Sequence, residues 1–215
     1  DDANVATPEV AWPDVYKRYA TDVRRIDDCV GDVLKLLQDL GIDNNTLVIF
    51  TADNGCSPQA GTPALEKQGH FASAEFRGYK ADIWEGGHRV PFVVRWPGVV
   101  PAGQVSGALV HQADLMATLA DIWGATLPAD AGEDSFSFLP LLKGVDAPTR
   151  PHAVSCAAAG TPGLRVGSWK YIATEPAQLY DLATDLGETK NLAGEQPARL
   201  AEMKALLEKI RAGAP

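Results

Sequence analysis

The stretch TLVIFTADNG, Thr46 to Gly55, runs through apolar residues and stops on an acid, an amide and a glycine. The carboxylate of Asp53 and the carboxamide of Asn54 are hard oxygen donors, the kind that Ca²⁺ and Mg²⁺ prefer. Gly55 allows a sharp backbone turn, so that neighbouring side chains can converge on one point. The plainer alternative is a simple turn, since Asn-Gly is a favoured hairpin corner, although no second alternating strand follows directly. Two donors also leave a shell of six or more incomplete, so a metal here needs ligands from elsewhere. A second charged stretch, EFRGYKADIWEGGHRVP, sets Arg77, Lys80, Glu85, His88 and Arg89 around three glycines. Lys80 could project a compact positive charge toward an anion. Its alternative is a solvated loop whose Lys and Glu pair weakly at the surface.

These residues need elements to hold them. Apolar residues at 15, 19, 23, 26, 30, 33, 37 and 40 make one stripe, which predicts a long helix. Pro13 suits its first turn and Gly41 the residue past its end. A short polar link leads into TLVIF, whose β-branched and aromatic residues, apolar on both faces, predict a buried parallel strand. Asp53 and Asn54 then lie at the carboxyl end of a strand, where ligands of open parallel sheets gather. The region from Cys56 to Phe76 has no sustained period and reads as a long loop of the functional sort. VPFVVRW is a second buried strand, and QADLMATLADIWG a short amphipathic helix ended by Gly124.

After Pro151 the texture changes. GLRVGSWKYIA and QLYDLA read as short antiparallel strands, and ARLAEMKALLEKIR as an amphipathic helix aligning Leu200, Met203, Leu207 and Ile210. The expected organisation is an α/β unit over 1–150 and a smaller α+β subdomain over 151–215. The 215 residues, 46% hydrophobic and 22% charged, suit a globular chain, and a net charge of −9 with no basic stripe disfavours a nucleic-acid partner. An anionic substrate therefore has to be met by a few local Lys or Arg residues. Three distant cysteines, Cys29, Cys56 and Cys156, lack metal-site spacing, and no run reaches the length of a membrane span.

Taken together and in order, YATDVRRIDDCVGDVLKLLQDLG, NNTLVIFTADNG, RGYKADIWEGGHRVPFVVRWPG, ADLMATLADIWGATLP and WKYI…QLYDLATDLGETKNLA resemble the sulfatase family, arylsulfatase type, of the alkaline-phosphatase-like superfamily. The resemblance implies that fold: a mixed or parallel sheet flanked by helices, with a small C-terminal subdomain of antiparallel sheet and terminal helix. It implies that Asp53 and Asn54 coordinate a divalent ion, usually Ca²⁺, with Mg²⁺ as the alternative. It implies that Lys80, in an Arg-Gly-x-Lys setting, contacts the sulfate and the bridging ester oxygen. Glu85-Gly86-Gly87 matches a signature that shapes the loop behind Lys80. His88 stands where relatives often have an apolar residue and receives no chemistry. His70, in the loop facing the expected pocket, is a candidate substrate contact.

The family's nucleophile motif, Cys-x-Pro-x-Arg or its Ser variant, whose first residue becomes formylglycine, does not occur: Cys29 precedes Val-Gly-Asp, Cys56 precedes Ser-Pro-Gln and Cys156 precedes three alanines. The family's early metal-binding Asp pair is absent as well. The expectation is a C-terminal portion of a larger sulfatase, with the nucleophile half as its partner and no hydrolysis by this chain alone. A sulfated small molecule or glycan is the implied substrate, and an exported or lysosomal location the family habit. The alternatives are a phosphomonoester or phosphonate hydrolase of the same superfamily, and a non-catalytic binding subunit.

Overall fold

The computed structural model describes residues 12–213; residues 1–11 and 214–215, at the outer ends of the two expected units, lie outside the described residues. Helix α1 (Asp14–Asp39) starts directly after Pro13, and Gly41 follows it with φ +68°, a left-handed turn that glycine adopts without a Cβ clash. Strand β1 (Val48–Thr51) pairs with β2 (Phe92–Arg95). The pairing is antiparallel, with Val48 opposite Arg95 and Thr51 opposite Phe92, which corrects the expected parallel strand. An apolar run marks a strand that is covered on both sides but carries nothing about the direction of its neighbour. Arg95 pairs with Asp43 and donates to its Oδ2 at 2.9 Å, which ties the end of β2 to the turn before β1.

The cover expected for both faces is not supplied by residues 12–213. Phe50 and Val93 are 38% and 58% exposed, and along α1 Val23, Ile26 and Val33 are about half exposed. Between β1 and α1 runs an apolar groove lined by Ile26, Val30, Val33, Val48 and Phe50.

The long segment after β1 is not wholly irregular, as its lack of period suggested. It holds helix α2 (Thr62–Glu66), five residues with Pro63 in the first turn, too short to display a helical repeat. Helix α3 (Glu85–His88) precedes β2. Helix α4 (Asp114–Trp123) ends at Gly124, φ +65°, and α5 (Leu139–Leu142) follows.

Strands β3 (Ala153–Cys156), β4 (Pro162–Val166), β5 (Trp169–Ile172) and β6 (Gln178–Asp181) form an antiparallel meander. Only β3 had no sequence signal, since its four residues AVSC carry no alternation worth reading. Helix α6 (Pro197–Arg211) packs on one face of this sheet, where Met203 and Leu207 bury against Leu164, Tyr171 and Leu179. Each such side chain contributes about 1.5–3 kcal/mol. The opposite face, carrying Gly163, Lys170, Ile172 and Tyr180, receives the 75–89 loop through Ile83 and Trp84. The small sheet is thus a middle layer between a helix and the charged loop.

Before β3, Asp114 (0% exposed) and Arg150 (side chain 3% exposed) pair at 3.1 Å. The same carboxylate accepts the N–H of His111 at 2.7 Å and of Phe136 at 2.9 Å. Arg150 also donates to the His152 carbonyl, so one buried ion pair joins α4, the 134–136 turn and the entry to β3.

Candidate functional site

The carboxyl end of β1 does not project freely. Gln112, next to the start of α4, donates to Thr51 Oγ1 at 3.1 Å and to the Ala52 carbonyl at 2.5 Å. Gly55 N–H donates to the Gly87 carbonyl at 2.9 Å, and Lys80 N–H donates to the Cys56 carbonyl at 2.8 Å. The backbones touch here because Gly55, Gly86 and Gly87 lack a Cβ. One built on Gly55 would lie 1.8 Å from the Gly86 oxygen, and one on Gly86 would lie 2.2 Å from the Gly78 oxygen. The residues that follow the Asp53-Asn54 pair, Gly55 and Cys56, thus meet the Lys80 turn and Gly87 at one backbone junction.

Within it Asp53 is exposed and Asn54 partly buried. The Asn54 side-chain nitrogen donates to the Gly55 carbonyl at 3.0 Å, which turns the amide so that Oδ1 is its available pole. A carboxylate and an amide oxygen on consecutive residues are donors of the type that fits a hard cation such as Ca²⁺. Among the described residues no group of three or more His, Cys, Asp or Glu side chains converges, so these two alone would make only part of a shell.

Lys80 occupies the tip of a tight turn. Asp82 N–H returns to the Tyr79 carbonyl at 2.9 Å, and Asp82 Oδ2 accepts the Tyr79 N–H at 2.9 Å. Ala81, the third residue of that turn, has φ +82°, which costs an alanine roughly 1 kcal/mol and marks a conformation imposed by its surroundings. The Tyr79 hydroxyl donates to Glu66 of α2, and this bond pushes its pKa up to about 12. The Lys80 side chain is exposed and makes no ion pair among the described residues, so its place is set by the backbone alone.

His70 sits apart. It is exposed, follows α2, and lies 6.5 Å from Trp12, ring centre to ring centre; no hydrogen bond links it to Asp53, Asn54 or Lys80 among the described residues. The Glu85-Gly86-Gly87 segment shapes the loop behind Lys80, as expected. Glu85, however, is not part of a solvated loop: it is 1% exposed and paired to Lys170 of β5 at 3.0 Å. Sequence reasoning passed over Lys170 and Glu188, both fully buried beside it. The available signal was WKYI, a lysine on the same strand face as an isoleucine and hence a buried cation in need of acids.

Burial by itself raises a carboxyl pKa, but Lys170, with help from His88 and Arg165, more than reverses this for Glu85 and holds it below the ordinary range. Glu188 goes the other way, raised by burial that Lys170 only partly offsets. Burial, reinforced by the Lys170 ammonium 3.1 Å away, pushes His88 down to about 4. The unfolded imidazole protonates near 6.5, so between pH 6.5 and 4 the unfolded chain binds the proton and the folded chain does not. The His88 contribution is complete above pH 6.5 and is lost as pH falls toward 4. From pH 7 to pH 5 this amounts to about 1–2 kcal/mol. His88→Leu should flatten the dependence of the urea midpoint over that interval; parallel slopes for both proteins would show that the folded imidazole titrates normally.

Comparison with known proteins gives the chain's family. The family model described as Sulfatase matches residues 2–125. An N-acetylgalactosamine-6-O-sulfatase of Bacteroides thetaiotaomicron is 34% identical, over 88% of this chain and 41% of its own length. A steryl-sulfatase of Rattus norvegicus is 41% identical over 66% of this chain and 24% of its own length. A solved Bacteroides thetaiotaomicron structure from work on glycosaminoglycan metabolism superposes with TM-score 0.79 at 32% identity, covering 87% of this chain and 43% of that one. The chain therefore spans about two fifths or less of the curated relatives named here. The α/β architecture with its small C-terminal subdomain is that of solved sulfatases.

Proposed function

The chain belongs to the sulfatase family, and from that premise we propose that it carries the metal-and-anion corner of a hydrolase of sulfate esters. Asp53 and Asn54 hold a divalent cation, Ca²⁺ before Mg²⁺, and Lys80 meets the sulfate and its bridging oxygen. The observation that supports this most is the backbone junction, Lys80 N–H on the Cys56 carbonyl and Gly55 N–H on the Gly87 carbonyl, which couples strand end and turn tip. The relative named for N-acetylgalactosamine 6-O-sulfate supports a sulfated amino sugar as the ligand class.

In this reading the bound cation supplies Lewis-acid withdrawal of charge from the sulfate oxygens. Lys80 sets a strongly hydrated point charge beside the oxygen that leaves, where negative charge grows as the ester bond breaks. The turn of Tyr79 to Asp82 fixes the backbone from which the Lys80 side chain departs, and Asn54, tied back to Gly55 through its nitrogen, would offer its oxygen to the cation. No Cys-x-Pro-x-Arg or Ser-x-Pro-x-Arg motif occurs in the chain, so binding rather than turnover is the proper readout.

Calorimetric titration with Ca²⁺, and then with N-acetylgalactosamine 6-sulfate in its presence, tests the assignment. Asp53→Ala combined with Asn54→Ala is expected to weaken Ca²⁺ at least tenfold. Lys80→Ala is expected to weaken the sugar sulfate at least tenfold (about 1.4 kcal/mol or more) and leave Ca²⁺ binding alone. Calcium affinity that survives the double replacement, or a parent chain indifferent to both ligands, overturns the reading.

A further inference from the structure

The face of the C-terminal sheet turned away from α6 buries three charged side chains that the metal-and-anion corner does not use. Lys170 is 2% exposed, Glu85 1% and Glu188 0%. Lys170 Nζ lies 3.0 Å from Glu85 Oε1 and 3.0 Å from Glu188 Oε1. The other oxygen of Glu188 accepts the backbone N–H of Glu85 at 2.6 Å. Arg77, at the opposite foot of the Lys80 turn, donates to the Glu188 carbonyl at 2.9 Å and lies 4.0 Å over the Trp84 ring. Both feet of the turn thus meet on one residue of the C-terminal lobe, and Gly86 N–H donates to the Arg77 carbonyl at 2.7 Å to close them together.

We propose that Lys170 and Glu188 are positioning residues for the anion-contacting turn: the small sheet, acting through Glu85, is the base that fixes where Lys80 stands. This rests on the reading of Lys80 given above.

Stability is a weak reason for such a group. Taking a cation and two carboxylates out of water carries a heavy desolvation penalty, and apolar residues of equal volume often stabilise as well or better. What ions add is direction. Lys170 reaches Glu85 and Glu188 at once, and Arg165 and Arg89 approach the outer oxygen of Glu85 at 3.4 and 3.3 Å, so the loop can seat in one register only. An apolar contact such as Ile83 on Ile172 resists withdrawal but tolerates sliding. For Lys80, whose side chain has no bond of its own, a slide of about 1 Å is enough to cost on the order of a hundredfold in a reacting geometry.

The test replaces the ions by near-isosteres in one protein: Lys170→Met, Glu85→Gln and Glu188→Gln together. Amide exchange in the sheet and in α6 is expected to match the parent, while the Lys80 amide, bonded to Cys56, exchanges at least tenfold faster. Affinity for N-acetylgalactosamine 6-sulfate is expected to fall about tenfold with Ca²⁺ affinity unchanged. Unchanged exchange at Lys80 overturns the proposal, as does faster exchange with sugar affinity intact. Should the triple variant fail to fold, exchange of the parent in low denaturant decides. Amides of 80–87 opening in one step with β5 and β6 support the proposal, and a loop that opens while the sheet stays protected sinks it. Exchange needs no ligand, so a parent chain that ignores the sugar counts against the sulfate reading alone.

Discussion

Gly55→Ala is expected to lower the melting temperature by roughly 6–12 °C, the equivalent of about 3 kcal/mol in a domain of this size. The added methyl would lie 1.8 Å from the Gly86 carbonyl oxygen and 2.8 Å from its carbon. Neither atom belongs to a side chain that can swing aside. Gly86 in turn faces the backbone of Arg77 and Gly78, so the strain passes to the whole Lys80 turn. Relief requires the strand end and the turn to part, breaking the bonds from Gly55 to Gly87 and from Lys80 to Cys56. A control lies in α1: around Gly31 a Cβ would meet nothing within 4 Å. Gly31→Ala should stabilise by about 0.5–1 kcal/mol, as alanine does in a helix interior. Calorimetric melting of the two variants compares them directly, and a Gly55→Ala protein that melts with the parent would refute the close approach.

Asp114→Ala should destabilise the chain by about 3–5 kcal/mol. Arg150, 3% exposed along its side chain, would keep its charge in the interior with no carboxylate beside it. The N–H groups of His111 and Phe136 would also lose their acceptor, each a penalty of roughly 1–3 kcal/mol if water does not enter. The paired replacement Asp114→Asn with Arg150→Met should be milder than Asp114→Ala alone, because no buried charge is then left unmatched and the Asn oxygen still accepts one N–H. Urea unfolding of the single and paired variants measures the difference. A single variant within about 1 kcal/mol of the parent would mean the ion pair is not closed in solution.

Much of the architecture was legible before any coordinates. The three- and four-residue steps from Val15 to Leu40 became α1, Gly41 and Gly124 ended their helices, and the Leu200, Met203 and Leu207 stripe met the sheet it needed. These features are local: period, cap and stop depend on residues within a turn or two of one another. The direction of β2 against β1 was not legible, because an apolar strand presents the same composition to a parallel or an antiparallel neighbour. Nor was α2, which is shorter than the repeat that would reveal it.

The candidate site divides in the same way. Residue types alone marked Asp53 and Asn54 as hard oxygen donors and Lys80 as an anion-seeking cation, since a side chain's chemistry travels with its identity. The tertiary structure decided that the strand end and the Lys80 turn share a backbone junction, that Glu85 is a buried partner of Lys170 rather than a surface charge, and that Glu188 clasps the loop from a different lobe. Those contacts join segments separated by 85 and 103 residues. Only closure of the chain brings such groups within about 3 Å, where each buried ion is met by a partner of opposite sign.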